Sequence, residues 1–383
     1  SITIMNKAIY LCAAAALAMA SCSNDELVEV AKNDAINFRT VVGLNTKATE
    51  VETSTLEKTE AQGGGVYVTT FDADGKLLFG ETLYTKQTDG TFSAGQYWGN
   101  NATLDFYLTY PKLNDWLAGA SLSATNKTLT GVTVKDEIAE QVDLVAKKAT
   151  GTKATKTTTT VELEHVLSQI EIKAKNSNDN YVYKVKGVRI TNVVNKGDIN
   201  LADNTWNIDA YKTSNIKSYE VTYAGKEKTL NGTAQILTLN KTDGTTKDNA
   251  MLIPQTTNKW NGTDTDNDKV AGSYISVLVN ITAKNGGAAI YPKAEGKYAW
   301  VAVPVAFTWE SGKKYIYTLD FSKGAGKVDP VDPNDKPEAT VTPGKDPDKA
   351  EPVLGDEIKF TVTVKAWPAD ADADKTDVPM TAN

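Results

Sequence analysis

An all-β fold follows from three features of this 383-residue sequence. Apolar residues recur at every second position in many short runs, which is the period of a half-buried strand. Gly, Asn, Asp and Pro separate these runs at short, even intervals, a pattern that favours stacked sheets over alternating strands and long helices. Thr, Asn, Val and Tyr are abundant and there are 27 glycines, a composition suited to strands joined by turns. At 40% hydrophobic and 23% charged residues the chain can build packed cores, and its length allows two ordinary domains with tails.

The first 21 residues read as an export segment. Met5 is the expected start, Lys7 supplies a positive lead, and Ala8 to Ala20 form an apolar run too short to span a bilayer. Met19-Ala20-Ser21-Cys22 resembles a lipobox, so Cys22 is the expected lipidated residue. Acyl chains contribute about 0.8 kcal/mol per buried CH₂, which would hold the precursor on a membrane.

Ile36-Asn37-Phe38-Arg39-Thr40-Val41-Val42 is the first strand, with Ile36, Phe38, Thr40 and Val42 on one face. Residues 48–62 are polar and without period and read as a loop. Lys47-Ala48 is the expected cleavage point for a trypsin-like protease, with Arg39 as the runner-up. Arg39 lies inside the strand, where a protease needs the chain unfolded.

Val66 to Phe71 and Lys76 to Phe79 flank Asp72-Ala73-Asp74-Gly75, which reads as a hairpin turn rather than a calcium loop. Leu104 to Tyr110 continues the strands. Residues 149–160 are Thr- and Lys-rich and read as an inter-domain connection. Val161 to Ala174 alternates at both ends, with His165 as a structural residue at a bend. Strand candidates then recur to Lys314–Phe321. Asp264 to Asp268 alternates carboxylates but lacks the Gly and later Glu of an EF-hand and reads as a solvated loop.

Residues 324–356 hold Pro330, Pro333, Pro337, Pro343, Pro347 and Pro352 and read as an extended, semi-rigid spacer that holds the chain end away from the body. Beyond it, Ile358, Phe360, Val362 and Val364 alternate with Lys359, Thr361, Thr363 and Lys365, and Trp367 follows. Aligned on the isoleucine, the first and last strands share Ile-x-Phe-x-(Thr/Val)-x-Val. Two interchangeable strands, each flanked by polar or flexible sequence, suggest that one can replace the other in a single groove.

The inventory excludes several function classes. Cys12 and Cys22 are the only cysteines and His165 the only histidine, so no disulfide framework, multi-histidine metal site or histidine triad is available to the folded part. No catalytic residue, cofactor or metal site is assigned. A net charge of −7, with only two arginines, argues against nucleic acid as a partner.

Taken in order, the lipobox at Cys22, the first strand with a basic site after it, Leu163-Glu164-His165-Val166-Leu167-Ser168-Gln169-Ile170, Tyr315-Ile316-Tyr317-Thr318-Leu319-Asp320-Phe321 and the terminal Ile358–Val364 strand with Trp367 resemble the Bacteroidales fimbrillin family, the subunits of type V pili. The resemblance covers nearly the whole chain. It implies two transthyretin-like β-sandwich domains, lipoprotein export to the outer membrane, proteolytic removal of the first strand, and head-to-tail polymerisation with other copies or related pilins into a surface fimbria. Members of the family are cut after arginine, whereas Lys47-Ala48 stands at the corresponding place here. The implied organisation is a signal peptide at 1–21, a propeptide with the removable strand at 22–47, sandwiches at 48–160 and 161–327, a linker at 328–356 and a donor tail at 357–383. A surface glycan-binding or tip adhesin lipoprotein is the alternative, since seven tryptophans and 16 tyrosines could supply stacking platforms. Nothing in the sequence points to an enzyme.

Overall fold

A computed structural model describes residues 34–42, 50–100, 103–154, 159–223, 225–266, 270–335, 339–367 and 377–378. Strand dominates throughout, as the period-2 patterning predicts.

The first body is built from β1 (Ala35–Val42), β2 (Val66–Asp72), β3 (Leu77–Lys86), β4 (Phe92–Tyr97) and β5 (Thr103–Tyr110). After an excursion carrying β6 (Thr128–Thr133), it is completed by β7 (Val145–Thr152) and β8 (Thr159–His165). The strands run β1-β4-β3-β2-β5-β7-β8 and close into a barrel. β1 makes the closure: it is antiparallel to β4 and parallel to β8, with Phe38 to Val42 opposite Thr159 to Leu163. The Asp72–Gly75 turn is as expected. Asp72 Oδ1 accepts from the backbone of Asp74 (3.1 Å) and Lys76 (2.8 Å), and Gly75 takes φ 81°, a region that favours glycine.

The second body is built of two large sheets and a small third one over one core. It comprises β9 (Ser168–Lys175), β10 (Tyr181–Val194), β11 (Lys196–Asn200), β12 (Thr205–Asn207), β13 (Ile216–Thr222), β14 (Lys228–Thr229), β15 (Gln235–Ile236) and β16 (Ala250–Leu252). It continues with β17 (Tyr274–Ala283), β18 (Ala289–Tyr291), β19 (Ala299–Pro304), β20 (Lys313–Asp320), β21 (Lys327–Val328), β22 (Lys359–Ala366) and β23 (Asp377–Val378). One large sheet runs β13-β10-β17-β19-β21 and the other β15-β9-β20-β22-β23. β6 pairs with β11, and Phe71, Tyr107, Leu113 and Trp116 from the first half join the second core, so an apolar seam ties the bodies together.

Three expectations need correction. The region read as a loop at 48–62 carries two helical turns, α1 (Thr53–Leu56) and a 3₁₀ turn at Glu60–Gln62. Local caps explain them: the Glu52 N–H donates to the Thr55 hydroxyl (3.2 Å) and the Thr59 N–H to Gln62 Oε1 (3.3 Å). Of the stretch read as a connection at 149–160, residues 149–152 lie in β7 and 159–160 in β8, because β-branched threonines suit a ladder. Since β8 runs on to His165, residues 161–165 belong to the first barrel and the expected boundary at 160 falls within a strand.

The third correction concerns the Pro-rich segment, which does not hold the terminal strand away. It packs on the second body and brings β22 back beside β20. Asp side chains supply acceptors where no ladder exists: Asp329 Oδ1 accepts from Val331 and Asp332 (3.0 Å each), and Asp346 accepts from Thr342 and Lys293 (2.7 Å each). Ala339 and Ala350 are buried as apolar anchors. The excursion ends where it began, at a bridge between Gly324 and Gly355. A Cβ on Gly324 would lie 1.4 Å from the Asp356 carbonyl oxygen, so only glycine allows that approach.

Candidate functional site

The two strands singled out by sequence occupy two different seats. In the first, Ile36 (1% exposed), Phe38 (3%), Thr40 (4%) and Val42 (3%) all point into the barrel, as the alternation predicts. Phe38 is the centre of the seat, edge-on to Tyr84 (ring centroids 5.4 Å) and Phe106 (5.0 Å). Valine, leucine and aromatic side chains from β2, β4, β5 and β8 complete the wall.

That seat has one flaw. The Thr40 hydroxyl is buried and finds no hydrogen-bond partner among the described residues, and the Tyr84 hydroxyl is in the same condition. Burial pushes the Tyr84 phenol far above its ordinary value, so it stays neutral. An unmet buried hydroxyl costs about 1–3 kcal/mol.

In the second seat β22 lies antiparallel to β20, from Asp320 opposite Lys359 to Lys313 opposite Ala366. Ile358 and Val362 are buried, while Phe360 and Val364 are half-buried against the same core. Among the described residues, its other edge meets the short β23 alone, through Val362 and Thr363. β22 therefore has one full neighbour, whereas β1 divides its length between two, β4 along Ala35–Phe38 and β8 along Phe38–Val42.

In the same sheet as β22, β9 and β20 are joined by an ion cluster. Glu171 is buried and meets Lys314 (3.0 Å), Lys247 (3.1 Å) and Lys173 (3.3 Å). Burial alone would raise its carboxyl, but the three ammonium groups outweigh that and hold it down at about 2. Burial also pushes the Lys314 ammonium below its usual range, with Glu171 opposing.

Trp367, just past β22, meets both bodies. Its indole N–H donates to Glu50 Oε2 (3.0 Å), its ring stacks on His165 (4.1 Å between centroids, 9° between planes), and its backbone N–H donates to the Gly312 carbonyl (2.8 Å). His165 Nδ1 is 2.9 Å from Asp143 Oδ2, which also accepts the Val51 N–H (2.7 Å). The Glu50 carboxyl is pushed up by burial, although Gln169 and Trp367 donate to it. His165 is thus the structural residue expected, at the end of β8. Sequence reasoning missed Glu50, Val51, Thr53 and Asp143: nothing local marks residues whose partners lie, for Glu50 and Trp367, 317 positions apart.

Arg39 lies exposed within β1, opposite Thr160 of β8. Cys22, Lys47 and Ala48 lie outside the described residues, as do 267–269 of the Asp-rich loop. Six of the seven tryptophans are buried and Trp206 is half-buried, so the described surface offers no coplanar pair for stacking a sugar.

Residues 46–343 match the family model described as fimbrillin-like, and the chain belongs to that family. Membership makes it a pilus or adhesion subunit of the cell surface, of a structural rather than catalytic type. Both β1 and β22 lie outside the matched stretch. No curated protein matches the sequence. Among solved structures, a candidate cell adhesion protein from Parabacteroides distasonis is similar at 12% identity and TM-score 0.47, over 87% of this chain and 100% of its own. A candidate cell adhesion protein from Bacteroides uniformis is similar at 16% identity and TM-score 0.39, over 87% and 98%. The tip fimbrial protein Mfa3 from Porphyromonas gingivalis, truncated at its C-terminus, is similar at 10% identity and TM-score 0.37, over 87% and 100%.

Proposed function

We propose that this chain is a polymerising pilin, exported as a lipoprotein through Cys22 and cut after Lys47, with Arg39 the second choice. Cleavage lets β1 leave the barrel, and β22 of the next subunit takes its place. The observation that carries this reading is that β1 closes the barrel with four inward side chains and β22 repeats the pattern in the same chain direction. Ile358 takes the seat of Ile36, Phe360 that of Phe38, Val362 that of Thr40 and Val364 that of Val42. The incoming strand runs parallel to β8 and antiparallel to β4. A head-to-tail joint of this kind does not close, so it yields a filament.

The driving force is a difference between seats, because β22 begins docked on its own β20. Burying each large apolar side chain contributes about 1.5–3 kcal/mol in either seat and largely cancels. Backbone pairing cancels as well, since the seat of β1 pairs along Ala35–Phe38 with β4 and Phe38–Val42 with β8, while β22 already pairs along Lys359–Ala366 with β20. One term does not cancel: Val362 replaces Thr40 and removes the unmet hydroxyl, a gain of about 1–3 kcal/mol. Translational and ordering costs of association oppose that gain.

The test is trypsin cleavage of the precursor followed by intact mass and electron microscopy, with Phe360→Asp alongside. A new N-terminus at Ala48 with filaments supports the proposal. Phe360→Asp should be cut, remain folded by circular dichroism, and form no filaments. Filaments from that variant would sink the terminal-strand reading. Clean cleavage with only stable wild-type monomers would favour a tip subunit instead.

A further inference from the structure

We infer that Trp367 is the bolt of a latch that keeps β22 docked on its own subunit until β1 has left. The inference deepens the proposed function, since it rests on β1 being the strand that leaves and β22 the strand that is donated.

Two chains of contact run from β1 to Trp367. The first goes through the segment after β1. The Val42 N–H donates to the Thr53 hydroxyl (3.0 Å), and that hydroxyl donates to the Val42 carbonyl (3.1 Å). Thr53 opens α1, and the two residues before Glu52 are Glu50 and Val51. Glu50 accepts the Trp367 indole N–H, and Val51 is tied to Asp143. The second goes through β8. Its Thr159 to Leu163 lie against Phe38 to Val42, and it ends at His165, whose ring lies flat on Trp367 and whose Nδ1 is held by Asp143.

The indole N–H and the stacked face of the 5%-exposed Trp367 ring are therefore held by groups one or two steps from β1, while the ring otherwise packs in the second core. Loss of β1 removes both partners of the Thr53 hydroxyl, strips one edge from β8, and leaves residues 48–52 as a free chain end. Glu50 then retains Gln169, and His165 retains Asp143 and its pairing with Val145 of β7, but both lose their support on the β1 side, so the indole's acceptor and its stacking partner loosen together. β22, with one full neighbour, is the strand such a loss can free. The acceptor groove and the donor strand thus become available at the same step, and an uncut subunit offers neither. Coupling of this kind needs an element with two states that both sites bias, and β22, docked or released, is that element.

Hydrogen–deuterium exchange on unpolymerised full-length chain tests the latch apart from assembly. Over residues 359–366, Trp367→Ala should exchange about tenfold or more faster than the wild type, while β10 and β17 keep their rates. Glu50→Gln and Thr53→Val, which preserve shape, should give smaller increases of the same sense should Trp367→Ala fail to fold. Wild-type chain cut after Lys47, held dilute, should match Trp367→Ala. Unchanged exchange in β22 for all three variants would overturn the latch. Faster exchange in the variants without a change on cutting would overturn its coupling to β1. If cutting leaves β22 protected and filaments still form, donor-strand assembly stands and the latch falls. If cutting frees β22 and no filament forms, the latch stands and the assembly reading falls.

Discussion

The seat of β1 and the seat of β22 hold the same side-chain pattern in different frames. β1 is a middle strand of a closed barrel, with neighbours on both edges and its central phenylalanine between two rings. β22 is nearly an edge strand, with Phe360 and Val364 only half-buried. A strand covered on both edges is protected from pairing elsewhere, whereas an edge strand is a template for it. The difference teaches that the better seat is held by the strand with the poorer fit, since β1 carries Thr40 where β22 carries Val362. An arrangement with the strong seat imperfectly filled and the weak seat well filled is poised for exchange once a covalent link is cut.

The largest effect that would break the comparison is Phe38→Ala. Removing a fully enclosed phenylalanine costs about 3–5 kcal/mol, so urea unfolding followed by tryptophan fluorescence should show the first barrel weakened. The second body should keep its midpoint. Phe360→Ala in the uncut chain removes a half-buried ring and should cost about 2 kcal/mol, with the loss confined to the second body.

Glu171→Gln strikes the strands beside β22 instead of β22 itself. A buried ion cluster that loses its one acid is weakened by up to about 3 kcal/mol, because the ammonium groups are left facing one another. The sign of the pH effect is fixed by the depressed carboxyl. Its stabilisation is complete above about 4.5 and is lost as pH falls toward about 2. The wild type should therefore lose stability across that window more steeply than Glu171→Gln, as thermal melts at stepped pH would record. Glu50 acts in the opposite sense, since its raised carboxyl relieves strain as it is protonated.

The smallest change is the most informative. Thr40→Val removes only the unmet hydroxyl, so it should stabilise the uncut precursor by about 1 kcal/mol. It should also slow filament growth after cutting, because β1 then fits its seat as well as β22 would. Faster growth would show that the hydroxyl is not what loosens β1.

Much of this was legible in the sequence. The alternation of Ile36, Phe38, Thr40 and Val42 gave both the strand and its inward face, because burial on one face writes a period of two. The Asp72–Gly75 turn was readable because its chemistry is local. The docking of β22 on its own body was not. Proline content speaks of an extended chain, but where such a chain goes depends on backbone contacts between 323–328 and 350–356, the Gly324–Gly355 bridge among them, and on aspartates that reach back to loop N–H groups. The cluster around Trp367 was hidden for a similar reason. It joins residues 50, 51, 143, 165 and 367, which no local pattern brings together.

The most direct measurement of strand replacement uses the lack of cysteine in a chain cut after Lys47, since Cys12 and Cys22 both precede that residue. Val41 of β1 faces Glu162 of β8, and the proposed register puts Thr363 of the incoming strand in Val41's place. Glu162→Cys in one preparation and Thr363→Cys in another, mixed, cut after Lys47 and oxidised, should give a disulfide-linked dimer on a non-reducing gel, as neighbouring strands lie about 4.8 Å apart. Filaments that form without that linked dimer would contradict the account, because some other strand would then be filling the seat of β1.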